Sequence, residues 1–276
     1  MSTTGLNLLN ALFTDCDDVV RTSFLLKAAP SESRAYLFYC SGMCEVKQVN
    51  DFLKEDLLRY YLHHDITSET DVKDFVPFQL NPLSDSEQED IVFRLFSGQI
   101  ILYLEYPEGI YAIDAGSPPK RQPEEPSSEL SIRGPKDGFI EEIMVNAALI
   151  RKRLRTNRLA FEQYQIGEKT NTRVGLMYLK ETIEQELVED IRRRLMNVRS
   201  TGLISAAQLE ELLLDTPFNV FPKYEYTSRP DFAANALLHG RFMLLIDGVP
   251  SAIIAPTNLT YLLNAAEDAN TPTIFV

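Results

Sequence analysis

The sequence predicts an α/β fold made of two tandem, similar α/β subdomains, each a small mixed sheet with a β-hairpin flanked by helices. Three observations support this prediction. Short apolar runs alternate with segments of helical periodicity, as expected when strands and helices alternate along a chain. The order of strand, helix and hairpin recurs at an offset of about 140 residues, which indicates an internal repeat. A proline-rich stretch, residues 117–131, separates the two copies and has the composition of a linker.

The first subdomain is predicted to cover residues 1–116. Apolar residues at helical spacing, in part preceded by capping aspartates, predict helices over residues 6–13, 15–26, 46–60 and 86–96. Apolar runs bounded by turn residues predict strands over residues 35–39, 100–105 and 110–114. Pro107, Glu108 and Gly109 lie between the last two strands and are expected to form the turn of a hairpin.

The second subdomain is predicted to cover residues 132–276 and to repeat the first. Helical spacing predicts helices over residues 139–154, 183–195, 208–214 and 232–238, and apolar runs predict strands over residues 174–179, 241–246 and 249–255. Asp247 and Gly248 are a strong signal for a two-residue hairpin turn, because a type I′ turn needs positive φ at both positions. A glycine precedes each predicted hairpin, Gly98 in the first copy and Gly240 in the second. Nearly all-apolar strands favour a sheet covered by helices on both faces.

Composition and charge restrict the classes of function. The chain has 276 residues and a hydrophobic content of 45%, enough to bury a core. Its net charge of −13 is uneven: residues 1–130 hold 10 Lys and Arg against 22 Asp and Glu, and the remainder holds 17 against 18. An acidic first half argues against a nucleic-acid partner, because binding phosphates needs a local excess of cations. No apolar run reaches the roughly 18 residues that span a bilayer, and no secretory signal is visible, so a soluble intracellular chain is expected.

Neither catalysis nor a cofactor nor a metal is expected. The three cysteines do not make a disulfide framework, and Cys40 and Cys44 lack the further ligands of a zinc site. The run from Gly134 to Gly138 does not have the glycine spacing of a phosphate-binding loop, and no nucleophile elbow is present. The three histidines stand in no recognisable catalytic context. The sequence therefore favours a binding or signalling module over an enzyme.

A basic helix end is one candidate for a binding surface. Arg151, Arg155 and Arg158 recur at a spacing that shares a helix face, and Arg192 to Arg194 form a second basic cluster. An exposed basic face could contact an acidic partner, a phosphate or a lipid headgroup. The alternative is that both clusters are solvated helix ends that complement the helix dipole.

Arg229, Asp231 and Asp247 are candidates of another kind. A zwitterionic amino acid needs a donor for its carboxylate and an acceptor for its ammonium group, and an arginine close to an aspartate supplies both. The structural alternative is that Pro230 begins a helix that Asp231 caps, and that Asp247 belongs to a turn.

One stretch, residues 132–158, resembles a known family. It contains Arg133, Gly134, Pro135, Asp137, Gly138, Phe139 and Glu142, followed by Asn146, Leu149, Ile150, Arg151 and Arg153. These residues closely resemble the block found in A subunits of the spore germinant receptors, the GerA family of nutrient sensors in spore-forming bacteria. Further similarities follow in the same order along the chain: residues 18–21, residues 172–179, residues 229–231, Gly240, Asp247, Gly248 and Pro250.

The resemblance implies the N-terminal region of a receptor A subunit, with two α/β subdomains that detect or relay nutrient signals. It implies the B and C subunits and the A subunit's membrane region as partners, and amino acids or sugars as nutrients. It places the domain at the spore inner membrane, on the cytoplasmic side. The motif residues become candidates for ligand or partner contact: Arg133, Gly134, Pro135, Asp137, Gly138 and Asn146. A free-standing cytosolic module that binds small metabolites is the alternative.

Overall fold

A computed structural model describes residues 4–26, 33–44, 54–64, 66, 71–72, 79–114, 135–214 and 224–257. These residues contain seven helices and ten strands, and the strands form two five-stranded sheets. The chain divides into two compact units, Met1–Pro119 with Arg155–Asn157, and Lys120–Leu154 with Arg158–Val276. The predicted fold class is therefore confirmed. The predicted linker, residues 117–131, lies outside the described residues, and the subdomain limits on either side of it stay predictions.

The first unit begins with a helix and contains one sheet. Its elements are α1 (Thr4–Leu12), β1 (Val19–Leu26), β2 (Ser33–Cys40), α2 (Lys54–His63), β3 (Asn81–Leu83), α3 (Gln88–Leu95), β4 (Ile100–Glu105) and β5 (Glu108–Ile113). The strand order is β1-β2-β4-β5-β3. Alternate strand residues, Leu37 and Leu102 among them, point to one face and pack with Leu57 and Tyr61 of α2.

The second unit repeats the strand plan of the first. Its elements are α4 (Ile143–Arg151), β6 (Leu159–Ile166), β7 (Thr172–Leu179), α5 (Gln185–Asn197), α6 (Ala206–Leu213), β8 (Glu225–Thr227), α7 (Pro230–Leu238), β9 (Phe242–Ile246) and β10 (Ala252–Ala255). Leu176 and Leu244 pack with α5 and α6 on one face, whereas Met177 and Met243 pack with α4 and α7 on the other. Helices thus cover both faces, as the apolar strands predict.

The internal repeat is visible in topology and in single hydrogen bonds. The second sheet has the order β6-β7-β9-β10-β8, which matches that of the first strand for strand. Gly98 and Gly240, before the two hairpins, both have positive φ, 96° and 76°. Each donates its N–H to the carbonyl three residues earlier, on Leu95 and Leu237. The two halves therefore share one architecture.

One predicted helix is a strand in the structure, and strand β6 is an addition to the predicted elements. Residues 15–26 were expected to form a helix, but Val19–Leu26 is a strand that pairs antiparallel with Ser33–Cys40. Its side chains alternate between buried and more exposed positions over much of its length, and its β-branched residues suit that geometry. Strand β6 was not predicted at all, although Leu159–Ile166 pairs with β7 along its whole length.

The sheets and hairpins also differ in detail from the prediction. Every strand pair described is antiparallel, so the sheets are not mixed. In the first hairpin Glu105 pairs with Glu108, so Tyr106 and Pro107 form the connection. The second hairpin has the longer loop 247–251, since Leu245 pairs with Ala252. Asp247 and Gly248 do form the centre of a turn, since the Val249 N–H donates to the Ile246 carbonyl at 3.1 Å. The turn is not type I′, because Gly248 has positive φ but Asp247 does not. In the part of the chain described, no helix has both the length and the hydropathy needed to cross a bilayer.

Candidate functional site

The motif that carries the family resemblance forms a strap, residues 135–142, that leads into helix α4. The strap has neither helix nor strand structure up to Ile140, so α4 begins at Ile143 and not at the predicted residue 139. The Phe139 N–H donates to the carbonyl of Ser228 at 2.9 Å, and the Gly248 N–H donates to the carbonyl of Glu141 at 2.7 Å. Phe139 is buried in the core beneath α4 and α7. Backbone bonds therefore fasten the strap to two loops of the second unit.

Asn146 fastens the strap to α4 itself. Its side chain is fully buried, and its amide oxygen accepts from the Ile140 N–H at 2.8 Å. Its amide nitrogen donates to the Ile140 carbonyl at 2.6 Å. A buried amide is costly unless both of its ends are hydrogen-bonded. Here both ends are satisfied by the backbone of one residue, which fixes the entry of the chain into the helix.

Asp247 supplies the cap that the sequence next to α4 does not provide. The helix is preceded by Glu142, whose side chain makes no capping bond. Asp247 Oδ1 accepts instead from the Ile143 N–H at 3.3 Å, and Oδ2 accepts from Nε and Nη2 of Arg173 at 3.2 and 3.0 Å. A carboxylate at this end of a helix also meets the positive end of the helix dipole. Asp247 therefore joins the β9–β10 loop, strand β7 and helix α4.

Asp137 ties the beginning of the strap to the far end of α4. Its Oδ1 accepts from Nη2 of Arg153 at 2.6 Å, and the two side chains are 19% and 18% exposed. Arg153 also donates through Nη1 to the carbonyl of Leu149 at 2.8 Å. Gly138, between these anchors, is not among the described glycines with positive φ. These bonds tether the beginning of the strap to the far end of α4.

Arg229 and Asp231 are occupied with each other. Arg229 donates to Asp231 through Nη2 at 2.7 Å and Nε at 3.2 Å, and their side chains are only 3% and 12% exposed. Pro230 begins α7 as predicted. Asp231 points its carboxylate at Arg229 and does not form the predicted cap. A ligand could reach this pair only by breaking a buried two-point ion pair, which is costly.

The predicted basic face does not exist as one surface. Helix α4 ends at Arg151, so Arg155 and Arg158 do not continue it. Arg151 is fully buried and donates through Nη1 to the Leu159 carbonyl at 2.9 Å. Arg155 belongs to the first unit, with its guanidinium 5.5 Å from the ring centre of Phe93. Arg158 pairs with Glu181 at 3.3 Å, and both side chains are 61% exposed. Arg133 and Gly134 lie outside the described residues.

A second polar network in the same unit has no counterpart in the sequence predictions. Glu162 on β6 accepts from Nε of Arg192 at 2.9 and 3.0 Å, from Tyr178 at 2.7 Å and from Tyr164 at 2.8 Å. Burial alone would raise the pKa of Glu162, but the hydrogen bonds outweigh burial and lower it. Glu162 and Tyr164 are two positions apart, so they lie on the same face of a strand. This pattern could be interpreted only once β6 was known to be a strand.

The polar side chains in and around the strap bond to groups of the protein itself. Its polar side chains, Asp137, Asn146 and Asp247, are directed at backbone groups and arginines of the same unit. Among the residues described, no three His, Cys, Asp or Glu side chains converge as metal ligands would. These bonds are able to hold a loop, a helix and two strand ends in fixed positions relative to one another.

The chain was compared with known proteins. The family model described as "Bacillus/Clostridium GerA spore germination protein" matches residues 7–276. Spore germination protein XA of Bacillus anthracis is 36% identical over 266 residues, 96% of this chain and 54% of that protein. Spore germination protein B1 of Bacillus subtilis (strain 168) is 32% identical over 264 residues, with the same two shares, 96% and 54%. The chain thus spans about half the length of these curated relatives.

A solved structure has a similar fold. The crystal structure of the N-terminal domain of the A subunit of the Bacillus megaterium spore germinant receptor GerK3 matches with a TM-score of 0.65 and 24% identity, over 92% of this chain and 94% of that one. This similarity extends to both units of the present chain. Because the family model covers all but its first six residues, the chain belongs to the GerA family of spore germination proteins.

Proposed function

We propose that the chain is the N-terminal part of a spore germinant receptor A subunit and takes part in detecting or relaying the nutrient signal that starts germination. The observation that carries the proposal is the family match over residues 7–276, a range that includes the strap. Relatives at 36% and 32% identity are named as spore germination proteins. The proposal assigns no catalytic step to the chain.

The bonding of the strap supports a relay role for the motif. Within the strap Phe139 is buried, and the half-buried Asp137 bonds to Arg153. The side chain of Asn146 bonds to the strap backbone at Ile140, and that of Asp247 bonds to the first residue of α4. A signal can pass through such a segment only if the signal favours one of two arrangements of the chain. Because residues 137–142 are bonded to α4, to Ser228 and to the β9–β10 loop, any displacement of the strap reaches the second unit.

The wider setting belongs to the same proposal. The relatives are nearly twice as long as this chain, and we infer that the domain works beside a membrane region of the A subunit and with B and C subunits. The same reasoning puts it at the spore inner membrane, on the cytoplasmic side. Amino acids and sugars are the proposed nutrients.

Gene deletion and complementation test this proposal. In the spore former that encodes the chain, the full-length gene is deleted and then restored in its wild-type form. Germination is followed as the fall in optical density after addition of amino acids or sugars one at a time. The proposal expects the deletion to remove the response to at least one of them, and the restored gene to return it. An unchanged response to every nutrient would contradict the proposal, provided that the spore yield is normal.

A further inference from the structure

The two most exposed large apolar side chains among the described residues lie close together in the sequence of the second unit. Ile204 is 80% exposed and Met196 is 63% exposed. Met196 is in the last turn of α5, and Ile204 lies in the loop 198–205 that joins α5 to α6. Single exposed apolar residues are common on protein surfaces, but two in one short loop region indicate a surface that contacts an apolar partner.

The loop that carries Ile204 is hydrogen-bonded to the turn between β6 and β7. The Glu168 N–H donates to the carbonyl of Ser200 at 3.0 Å, and the Lys169 N–H donates to the carbonyl of Thr201 at 2.9 Å. The turn and the loop therefore lie side by side at one end of the sheet. We call these two segments, residues 167–171 and 196–205, the tip.

The start of α6 shows that Ile204 is directed outward. Ser205 caps the helix, since its Oγ accepts from the Gln208 N–H at 3.2 Å, and Gln208 Oε1 accepts from the Ile204 N–H at 3.1 Å. In front of such a cap, an apolar residue often packs against the fourth residue of the helix, here Leu209. Leu209 is fully buried whereas Ile204 is 80% exposed, so at most a small part of Ile204 takes part in that contact.

The tip is basic although the chain as a whole is acidic. Its two segments contain Lys169 and Arg199 against one acidic residue, Glu168, whereas the whole chain has a net charge of −13. Lys169 and Arg199 are both exposed. Arg193, close by on α5, is 71% exposed in its pair with Asp190. Exposed apolar side chains flanked by basic ones are typical of surfaces that lie in the interface of an anionic bilayer.

We propose that the tip is a membrane-contact site for anionic lipid. The side chains of Ile204 and Met196 would lie among the lipid headgroups, with Lys169 and Arg199 against the phosphates. A lipid surface is favoured over a protein partner because the headgroup layer accepts protruding apolar side chains without a matching cavity, and because its negative charge complements the tip. The inference rests on the proposed function, which puts the domain beside a membrane.

The contact is expected to be weak for the isolated chain. A single myristoyl group gives membrane binding of only about 10⁴ M⁻¹, and two apolar side chains bury no more apolar surface than that group. In a receptor held at the membrane, the tip would be close to the lipid at a high effective concentration, so a weak contact is sufficient. Binding of the isolated chain should therefore be measured at about millimolar lipid.

Vesicle sedimentation of the purified 276-residue chain tests the proposal. The bound fraction is measured with phosphatidylcholine vesicles and with vesicles of phosphatidylcholine and phosphatidylglycerol in equal parts. We expect severalfold more binding to the vesicles that contain phosphatidylglycerol, and a severalfold decrease in about 1 M salt, where the Debye length is about 3 Å. A chain with a net charge of −13 is repelled by anionic vesicles as a whole, so preferential binding would report the local charge of the tip.

Two double variants connect the binding to the tip. Met196→Ser with Ile204→Ser should weaken binding about tenfold or more, because both apolar side chains are lost. Lys169→Gln with Arg199→Gln should weaken it severalfold and remove most of its dependence on salt. All four positions are exposed, and amide NMR spectra are expected to show a folded chain in each case.

Leu238→Ser is the matched control. Leu238 is a 50% exposed apolar residue of the same unit. It precedes β9, whose first residue pairs with Tyr178, whereas the turn of the tip precedes the other end of β7. This variant should bind as the wild type does. The proposal is overturned if the wild type binds neither kind of vesicle or binds both equally, or if the folded apolar double variant binds normally.

The two proposals fail in different ways. Absence of vesicle binding, together with loss of a nutrient response when the gene is deleted, would overturn the membrane contact and leave the proposed function standing. Slow germination of spores with the apolar double variant, without any vesicle binding by the wild-type chain, would indicate a protein partner and would also overturn it. Preferential vesicle binding with normal germination of the deletion strain would support the contact and contradict the role in germination.

Discussion

Asn146 illustrates how a motif residue acts through the backbone. Both ends of its buried amide bond to Ile140, so removing the amide leaves one N–H and one carbonyl without partners. A buried group without a partner costs about 1–3 kcal/mol, and Ile140 is 38% exposed, so less than this penalty applies to each of its two groups. We therefore expect Asn146→Ala to lower the free energy of unfolding by about 1–3 kcal/mol, measured by urea denaturation. Asn197→Ala is the control: Asn197 is exposed and bonds only to the Arg193 carbonyl among the contacts described. A loss for Asn146→Ala no larger than that of the control would refute this role.

Glu162 should make stability depend on pH in the acid range. Although burial opposes it, hydrogen bonding with Arg192, Tyr178 and Tyr164 holds the pKa of Glu162 below its ordinary 4.5. A group whose pKa is lowered by folding contributes stability above its unfolded pKa, and this contribution disappears as the pH falls through the folded value. The stability difference between the wild type and Glu162→Gln should be constant from about pH 7 to about pH 5 and shrink below that. Urea unfolding over a pH series measures it, and a difference that persists undiminished to about pH 3 would contradict the assignment.

Arg151 and Arg158 differ in role, because Arg151 is a structural arginine and Arg158 is a surface arginine. Arg151 is fully buried and bonded to the Leu159 carbonyl, whereas Arg158 is 61% exposed in its pair with Glu181. We expect Arg151→Met to destabilise the chain by about 2 kcal/mol or more. Arg158→Met should change stability by no more than about 1 kcal/mol, as is usual for exposed ion pairs. Equal melting temperatures for the two variants would be inconsistent with this distinction.

The glycine before the second hairpin lets the turn between α7 and β9 pack closely against the backbone of Thr182. Gly240 has φ of 76°, and a Cβ on it would lie 2.6 Å from the carbonyl oxygen of Thr182. Gly248 has φ of 85°, but a Cβ there meets nothing within 4 Å. Both alanine variants therefore incur the cost of a left-handed residue, roughly 1–2 kcal/mol, and Gly240→Ala adds a clash with backbone of about 1–3 kcal/mol.

Thermal denaturation of the two glycine variants measures this comparison. Gly240→Ala is expected to melt at a clearly lower temperature than Gly248→Ala, and both below the wild type. If Gly248→Ala were the more destabilised of the two, the contact between residue 240 and Thr182 would not control the hairpin.

The sequence predicted elements well where one periodicity dominated and failed where two signals competed. The apolar strands β2, β4, β7 and β9 and the amphipathic helix α5 occur close to their predicted limits. Strand β1 was taken for a helix because the aspartates before it, at residues 15, 17 and 18, resemble helix caps. Pairing with β2 along its length outweighs that local signal. The start of α4 was misplaced because Phe139 is buried by the strap and not by a helical turn.

For the molecule as a whole, the internal repeat was the most reliable sequence signal. The repeated order of elements and the paired glycines Gly98 and Gly240 predicted two units of one fold, and the two sheets share one strand order. The sequence allowed the residues of the candidate site to be named, but it did not predict which of them contact each other. Asp247 lies more than 100 positions from Ile143, and their hydrogen bond follows from the sheet topology. Burial of Arg151 likewise depends on the packing of α4. Helical periodicity alone therefore predicted that Arg151 lies on an exposed basic face.

We propose that the strap motif, held by Asp247, carries the nutrient response of the receptor. The most direct test is the nutrient-triggered germination rate of spores whose full-length A subunit carries Asp247→Ala, with Glu181→Ala as a surface control and immunoblotting of the A subunit to normalise its abundance. Without the Asp247 carboxylate, the Ile143 N–H and Arg173 lose an acceptor. We predict severalfold slower germination for Asp247→Ala at normal subunit abundance, and a wild-type rate for Glu181→Ala. A wild-type rate from spores that contain the Asp247→Ala subunit at normal abundance would contradict the claim.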